Sequence, residues 1–221
     1  ALCTPLPSFR QPFHTPVMMS STLISSLADA RIQAFRDLPR RPSLREQGLL
    51  VAEGKWLVER LLASDLETLS LLVEENKWAS WRERVDGRIP VYSARRPFLK
   101  EIVGFDFHRG VLACARRGAN RPLADCLPGA RERLAALVCC DIQNGDNLGG
   151  ILRNAAALGV DAVILVGHCA DPFQRRALRV SMGASFRLPI HETDDDATLL
   201  DQLRERWDVR LAAAVLDPAA A

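Results

Sequence analysis

Long hydrophobic runs are the first thing this sequence lacks. No apolar stretch approaches the ~20 residues that a helix needs to span a bilayer, so no membrane partner is expected. None of the six cysteines (Cys3, Cys114, Cys126, Cys139, Cys140, Cys169) belongs to a C-x-x-C pair. That removes the usual zinc and dithiol signatures and fits a reducing, cytoplasmic setting with no metal site. A G-x-G-x-x-G turn is missing as well, which weakens a dinucleotide-binding reading. Lysine is scarce, at three of the 29 basic residues, so nearly all positive charge is guanidinium. Arginine suits forked phosphate contacts and base stacking, although a GC-rich genome produces the same bias. Residues 1–20 contain no acid and one base, Arg10, among four prolines. They read as a disordered leader.

What is present is a globular composition, 48% apolar and 25% charged. The net charge of +2 is unevenly spread: residues 1–117 hold 18 Lys/Arg against 13 Asp/Glu, and residues 118–221 hold 11 against 14. A mildly basic first half suits an anionic partner such as RNA; an ordinary solvated surface gives the same totals.

Residues 21–117 alternate strands and helices, as one α/β domain does. "SLADARIQAFRDL" has helical spacing in Leu27, Ile32 and Phe35, and residues 48–52 read as a strand. Trp56, Leu57, Leu61 and Leu62 form one apolar helix face. "LETLSLLVEE" and "IPVYSA" are strands, "ARRPFLKEIVG" a helix and "HRGVLACAR" a last strand. Residues 118–130, rich in Pro and Gly, read as a linker. Residues 131–221 restart the pattern. "LAALVCCD" is a buried strand whose thiols act as small hydrophobes, residues 147–158 a helix and "DAVILVG" a strand. A helix opened by Asp171-Pro172 follows, then a short strand in "SFRLPIHE", the helix "ATLLDQLRERW" and the strand "DVRLAAAVLD". Repeated βα winding implies a largely parallel sheet.

The stretch "NGDNLGGILRNAAALGVDAVILVG", residues 144–167, carries the most chemistry. With Asp146 or Asn147 as N-cap, Leu148, Ile151, Leu152 and Ala155 make one stripe for the sheet. Gly159 is a C-cap. Gly149 and Arg153, four apart, share another face. Two adjacent glycines cost about 1 kcal/mol each relative to alanine; close approach of a ligand or of another backbone explains them. The helix follows the carboxyl end of a strand, where α/β sheets place ligands. An arginine exposed to water, behind glycines in a loop, satisfies the same spacing.

These residues resemble the first signature motif of the SpoU (TrmH-like) RNA ribose 2'-O-methyltransferases of the SPOUT superfamily. The pattern N-x-G-x-x-x-R-x-A-x-x-x-G is met by Asn147, Gly149, Arg153, Ala155 and Gly159. "DPFQRRALRVSMGASFRLPI" is similar to the family's next segment. "LLVAEGKWLVERLL" and "FHRGVLA" resemble points of its small substrate-binding domain. The resemblance implies an α/β chain with an L30e-like RNA substrate-binding domain at 21–117. The first part of a SPOUT (α/β knot) methyltransferase domain would follow at 131–221.

It further implies S-adenosylmethionine as cofactor, ribosomal or transfer RNA as partner, a role in rRNA processing, and a homodimer. Arg153 is then the catalytic residue, either removing the 2'-hydroxyl proton or, as its permanent charge favours, stabilising the developing alkoxide. Asn147 either orients the hydroxyl, the phosphate or Arg153, or only caps the helix. Gly149, Ser181 and Gly183 shape the pocket, and Arg45, Lys55 and Arg109 are candidate phosphate contacts. The family's later motifs, G-N-E-x-x-G and S-L-N, do not occur before Ala221. The knot segment is therefore expected to be absent, the chain truncated, and S-adenosylmethionine bound weakly or not at all by this polypeptide. Its cofactor-binding residues stay unassigned. The alternative is an RNA-binding protein with a degenerate, non-catalytic second half.

Overall fold

The computed structural model describes residues 20–38, 44–127, 129, 133–195 and 198–214; the leader and the last residues lie outside these. The first sheet contains β1 (Thr22–Leu23), β2 (Leu49–Glu53), β3 (Thr68–Glu74), β4 (Val91–Ala94) and β5 (Val111–Arg116). Its order is β1-β4-β3-β5-β2. β3 runs parallel to β4 and antiparallel to β5, which pairs antiparallel with β2. The helices of this half are α1 (Lys55–Leu62), α2 (Trp78–Trp81) and α3 (Arg96–Val103). Short 3-10 turns at Ala30–Phe35 and Leu44–Gln47 precede β2. The second sheet is fully parallel, ordered β6-β7-β8: β6 (Ala136–Cys140), β7 (Ala162–Val166) and β8 (Ile190–Thr193). With it go α4 (Leu123–Cys126), α5 (Gly145–Leu158), α6 (Arg175–Val180) and α7 (Leu199–Trp207).

Side-chain alternation sorts the cores. Leu50, Ala52, Leu71 and Val73 face α1 and Trp81, while Val51, Leu72, Leu112 and Cys114 face α3, Ile32 and Phe35. In the second sheet Ala162, Ile164 and Val166 meet α4 and α7, and Val163 and Leu165 meet α5. β7 is central and buried on both faces, which is why its five residues are all apolar. The halves also share a core: Leu178 of α6 and Phe186 sit among the apolar residues of the first sheet.

Several expectations change here. Trp56 is 66% exposed, because the inward stripe of α1 is Leu57, Val58 and Leu61; its ring lies under the Lys55 ammonium instead. β6 is an edge strand with only Cys139 fully buried; Cys140, on the opposite face, is exposed. The stretch read as a linker contains α4, which buries Leu123 and Cys126. "DVRLAAAVLD" makes no strand over its described residues, 208–214. A strand is made by a neighbouring edge, and local apolar content does not supply one.

Candidate functional site

The two glycines of α5 serve different purposes. A Cβ at Gly149 would lie 2.8 Å from the Ala177 carbonyl oxygen and 2.8 Å from the Val180 Cβ. The space beside it is filled by the backbone of α6, so Gly149 permits helix–helix contact and does not open a ligand pocket. Gly150 has nothing within 4 Å. Arg176 ties the same two helices by donating through Nε to Asp146 Oδ1 at 2.7 Å. That hydrogen-bonded guanidinium holds the Asp146 carboxyl below the usual carboxylate value.

The helix starts earlier than its apolar stripe suggests. Asn144 is the N-cap, its side-chain oxygen accepting from the N–H groups of Asp146 (2.8 Å) and Asn147 (3.3 Å). Asn147 is therefore not the cap, and its side chain is exposed in the first turn. Leu148, Leu152 and Ala155 are buried as expected, and Gly159 closes the helix at φ 73°.

Arg153 lines a cleft of about 800 Å³ between the two halves of the molecule. α5 contributes Arg153, Ala156 and Ala157. The turn after α6 contributes Ser181, Met182, Gly183 and Arg187, and α1 contributes Arg60. Among the described residues no Asp or Glu belongs to the lining. Arg153 and Arg187 are exposed, and neither has an ion-pair partner among the described residues. Arg60 donates through Nη1 to the Met182 carbonyl oxygen.

Met182 and Gly183 both have positive φ, 55° and 78°. A side chain on Gly183 would press on Phe186 and on Leu57 of α1, at 3.1 and 3.2 Å. Only glycine lets this turn sit so close to the first half. Ser181 is buried, and its hydroxyl donates to the Leu178 carbonyl at 3.2 Å, so it supports the turn from beneath.

The cleft lies at the amino ends of β7 and β8, beside Val160 and Pro189, and not at the carboxyl ends. The reason is helix length. α5 begins at the carboxyl end of β6 and runs back along the sheet, so Arg153, eight residues in, has travelled about 12 Å. Asn147 and Arg153 are six residues apart, which turns their side chains about 120° from each other on a helix. Asn147 does not reach the cleft lining.

Other groups stand at the carboxyl ends of β6 and β7. Asp141 Oδ1 accepts from the His168 N–H at 2.8 Å. The Cys169 thiol donates to the Cys139 carbonyl at 3.3 Å. Burial, with smaller contributions from Cys169 and Cys140, pushes the Cys139 thiol up to about 11. It stays protonated near neutrality and supplies no nucleophile.

The expected phosphate contacts are not gathered in the cleft. Arg45 pairs with Glu192 at 2.8 Å and Arg109 lies 3.5 Å from Glu53, so carboxylates offset both charges. Lys55 is exposed on α1. Arg60 and Arg187 do line the cleft, yet the sequence presents them as ordinary surface arginines. Their only signal was position, inside the quoted "EGKWLVERLL" and "SFRLPI" stretches. No group of metal-ligating side chains occurs among the described residues.

Residues 135–220 match the SpoU rRNA Methylase family. An uncharacterized tRNA/rRNA methyltransferase of Mycobacterium bovis is 40% identical over 182 residues, 80% of this chain and 62% of the relative. The chain thus spans about three-fifths of the length of that curated relative. An AdoMet-bound rRNA methyltransferase from Sinorhizobium meliloti superposes with a TM-score of 0.67 at 24% identity, over 83% of this chain and 67% of that one. An RNA 2'-O ribose methyltransferase superposes with a TM-score of 0.64 at 25% identity, over 84% and 70%. From the family match across the second sheet, the curated relatives and the common α/β fold, it follows that residues 135–220 of this chain belong to the SpoU methylase family.

Proposed function

We propose that this protein methylates a ribose 2'-hydroxyl of ribosomal or transfer RNA, with the L30e-like first half helping to hold the RNA. The observation that carries the reading is Arg153, unpaired among the described residues, in a cleft with no carboxylate. A 2'-hydroxyl is a poor nucleophile, and negative charge grows on its oxygen as it is alkylated. A guanidinium stays protonated in proteins. Arg153 then acts as a fixed cation beside that oxygen and the adjoining phosphate, and not as a proton acceptor. Asn147, held in the first turn of α5 away from the cleft, takes no part in this step.

SpoU methyltransferases use S-adenosylmethionine, as one from Streptomyces viridochromogenes in complex with AdoMet illustrates. The cofactor's methyl-bearing sulfur is a cation, and the described lining offers three guanidiniums and no carboxylate. The cleft therefore suits the anionic RNA, while residues outside this lining would hold the cofactor's sulfonium next to the 2'-oxygen. The family association also carries a homodimer and a cytoplasmic role in rRNA processing into this proposal.

The test uses RNA transcripts and S-adenosylmethionine with a labelled methyl group. A 2'-O-methyl blocks alkaline cleavage of the next phosphodiester bond, so label should appear in alkali-resistant dinucleotides. Arg153→Ala should lower transfer about 100-fold or more while RNA binding weakens by no more than one lost phosphate contact. Unchanged transfer in that variant overturns the assignment. Retained RNA binding with no alkali-resistant label from the wild type selects the second reading, an RNA-binding protein without transfer, which the lack of a sulfonium-pairing carboxylate in the described lining favours.

A further inference from the structure

We infer that Arg60, Arg153 and Arg187 form one phosphodiester-binding site for RNA across the seam between the two sheets. This rests on the RNA reading above and adds Arg60 and Arg187 to it. The three come from separate parts of the chain: Arg60 from α1, Arg153 from α5, and Arg187 from the turn between α6 and β8.

Elsewhere in the molecule arginines at the seam are neutralised. Arg45 and Arg117 meet Glu192, and Arg109 and Arg175 meet Glu53. In the cleft that pattern stops, because no carboxylate among the described residues lines it. Three like charges around one concavity repel each other, and an anion entering between them relieves the repulsion.

The rest of the lining tells what kind of anion. Ala156, Ala157, Val160, Leu188 and Pro189 give an apolar floor for a sugar, and no aromatic side chain among the described lining residues is available to stack a base. Such a surface reads backbone and not sequence. The bond from Arg60 to the Met182 carbonyl fixes one guanidinium against the turn that carries Arg187. The site is therefore assembled only when both halves of the molecule are in place.

The experiment is fluorescence anisotropy of the 221-residue chain with a labelled oligouridylate of about a dozen nucleotides, at about 50 to 200 mM salt. On single strands each lost phosphate contact lowers the slope of log affinity against log salt by roughly 0.7. Arg187→Gln and Arg60→Gln should each lower it by that amount. Arg187→Lys, which keeps the charge, should leave the slope in place. Arg88→Gln is the control, because Arg88 sits on Asp86 outside the cleft. Arg187 decides the matter, since it is exposed and its side chain makes no hydrogen bond or ion pair among the described residues. If the wild type binds and Arg187→Gln retains the full slope, the site is refuted and the RNA reading stands. If the wild type binds no RNA, both fall.

Discussion

Alanine at position 149 and alanine at position 150 should move stability in opposite directions. At Gly149 the new Cβ meets a carbonyl oxygen and a Cβ at 2.8 Å, both on a neighbouring helix that cannot yield cheaply. Gly149→Ala should cost about 1–3 kcal/mol, the usual range for overpacking. At Gly150 there is open space, so Gly150→Ala should stabilise by about 0.5–1 kcal/mol through the unfolded chain and helix propensity. Urea unfolding of the two variants measures both, and equal effects would contradict the packing. The glycine pair was visible in the sequence as an anomaly. Which glycine is needed was not, because the atoms that require it belong to Ala177 and Val180, nearly 30 residues further on.

Among the elements, α5 and α6 show how local signals work and where they stop. The stripe of Leu148, Leu152 and Ala155 and the cap at Gly159 are local, and both could be read from spacing. The true start at Asn144 was hidden by two further polar residues that would cap equally well. α6 opens later than Asp171-Pro172 implied: Asp171 Oδ1 accepts from the Phe173 N–H at 2.9 Å in a preceding turn, and the helix begins only at Arg175. The Asp146–Arg176 contact between these helices gives a pH prediction. Because pairing lowers the Asp146 pKa in the folded state, its contribution is present above the unfolded value and fades as pH falls through the lowered one. The gap in melting temperature between wild type and Asp146→Asn should be steady above about pH 4 and narrow below it. A gap that widens on acidification would show the contact to be unimportant.

At the scale of the whole molecule, the seam between the halves is built on charge as well as apolar packing. Arg117, with a side chain only 9% exposed, grips Asp171 and Glu192 and lies 4.9 Å from the centre of the Phe173 ring. Removing it strips Asp171 of its guanidinium partner and leaves Glu192 with Arg45 alone among the described residues. Arg117→Ala should therefore lower stability by about 3 kcal/mol, read from urea unfolding; an unchanged midpoint would mean the halves hold together without it. Leu178 and Phe186 contribute to the first sheet's core from the second half, so such a loss should loosen both. By itself the sequence determined the α/β winding, most strand positions, the apolar face of α5 and the resemblance to SpoU methylases. These depend on periodicity and on residues close together in the chain. Only the tertiary structure decided that Arg153 stands at the amino end of the sheet, away from Asn147, and beside Arg60 and Arg187. Those neighbours are set by helix length and by packing between distant segments, and no local pattern encodes them.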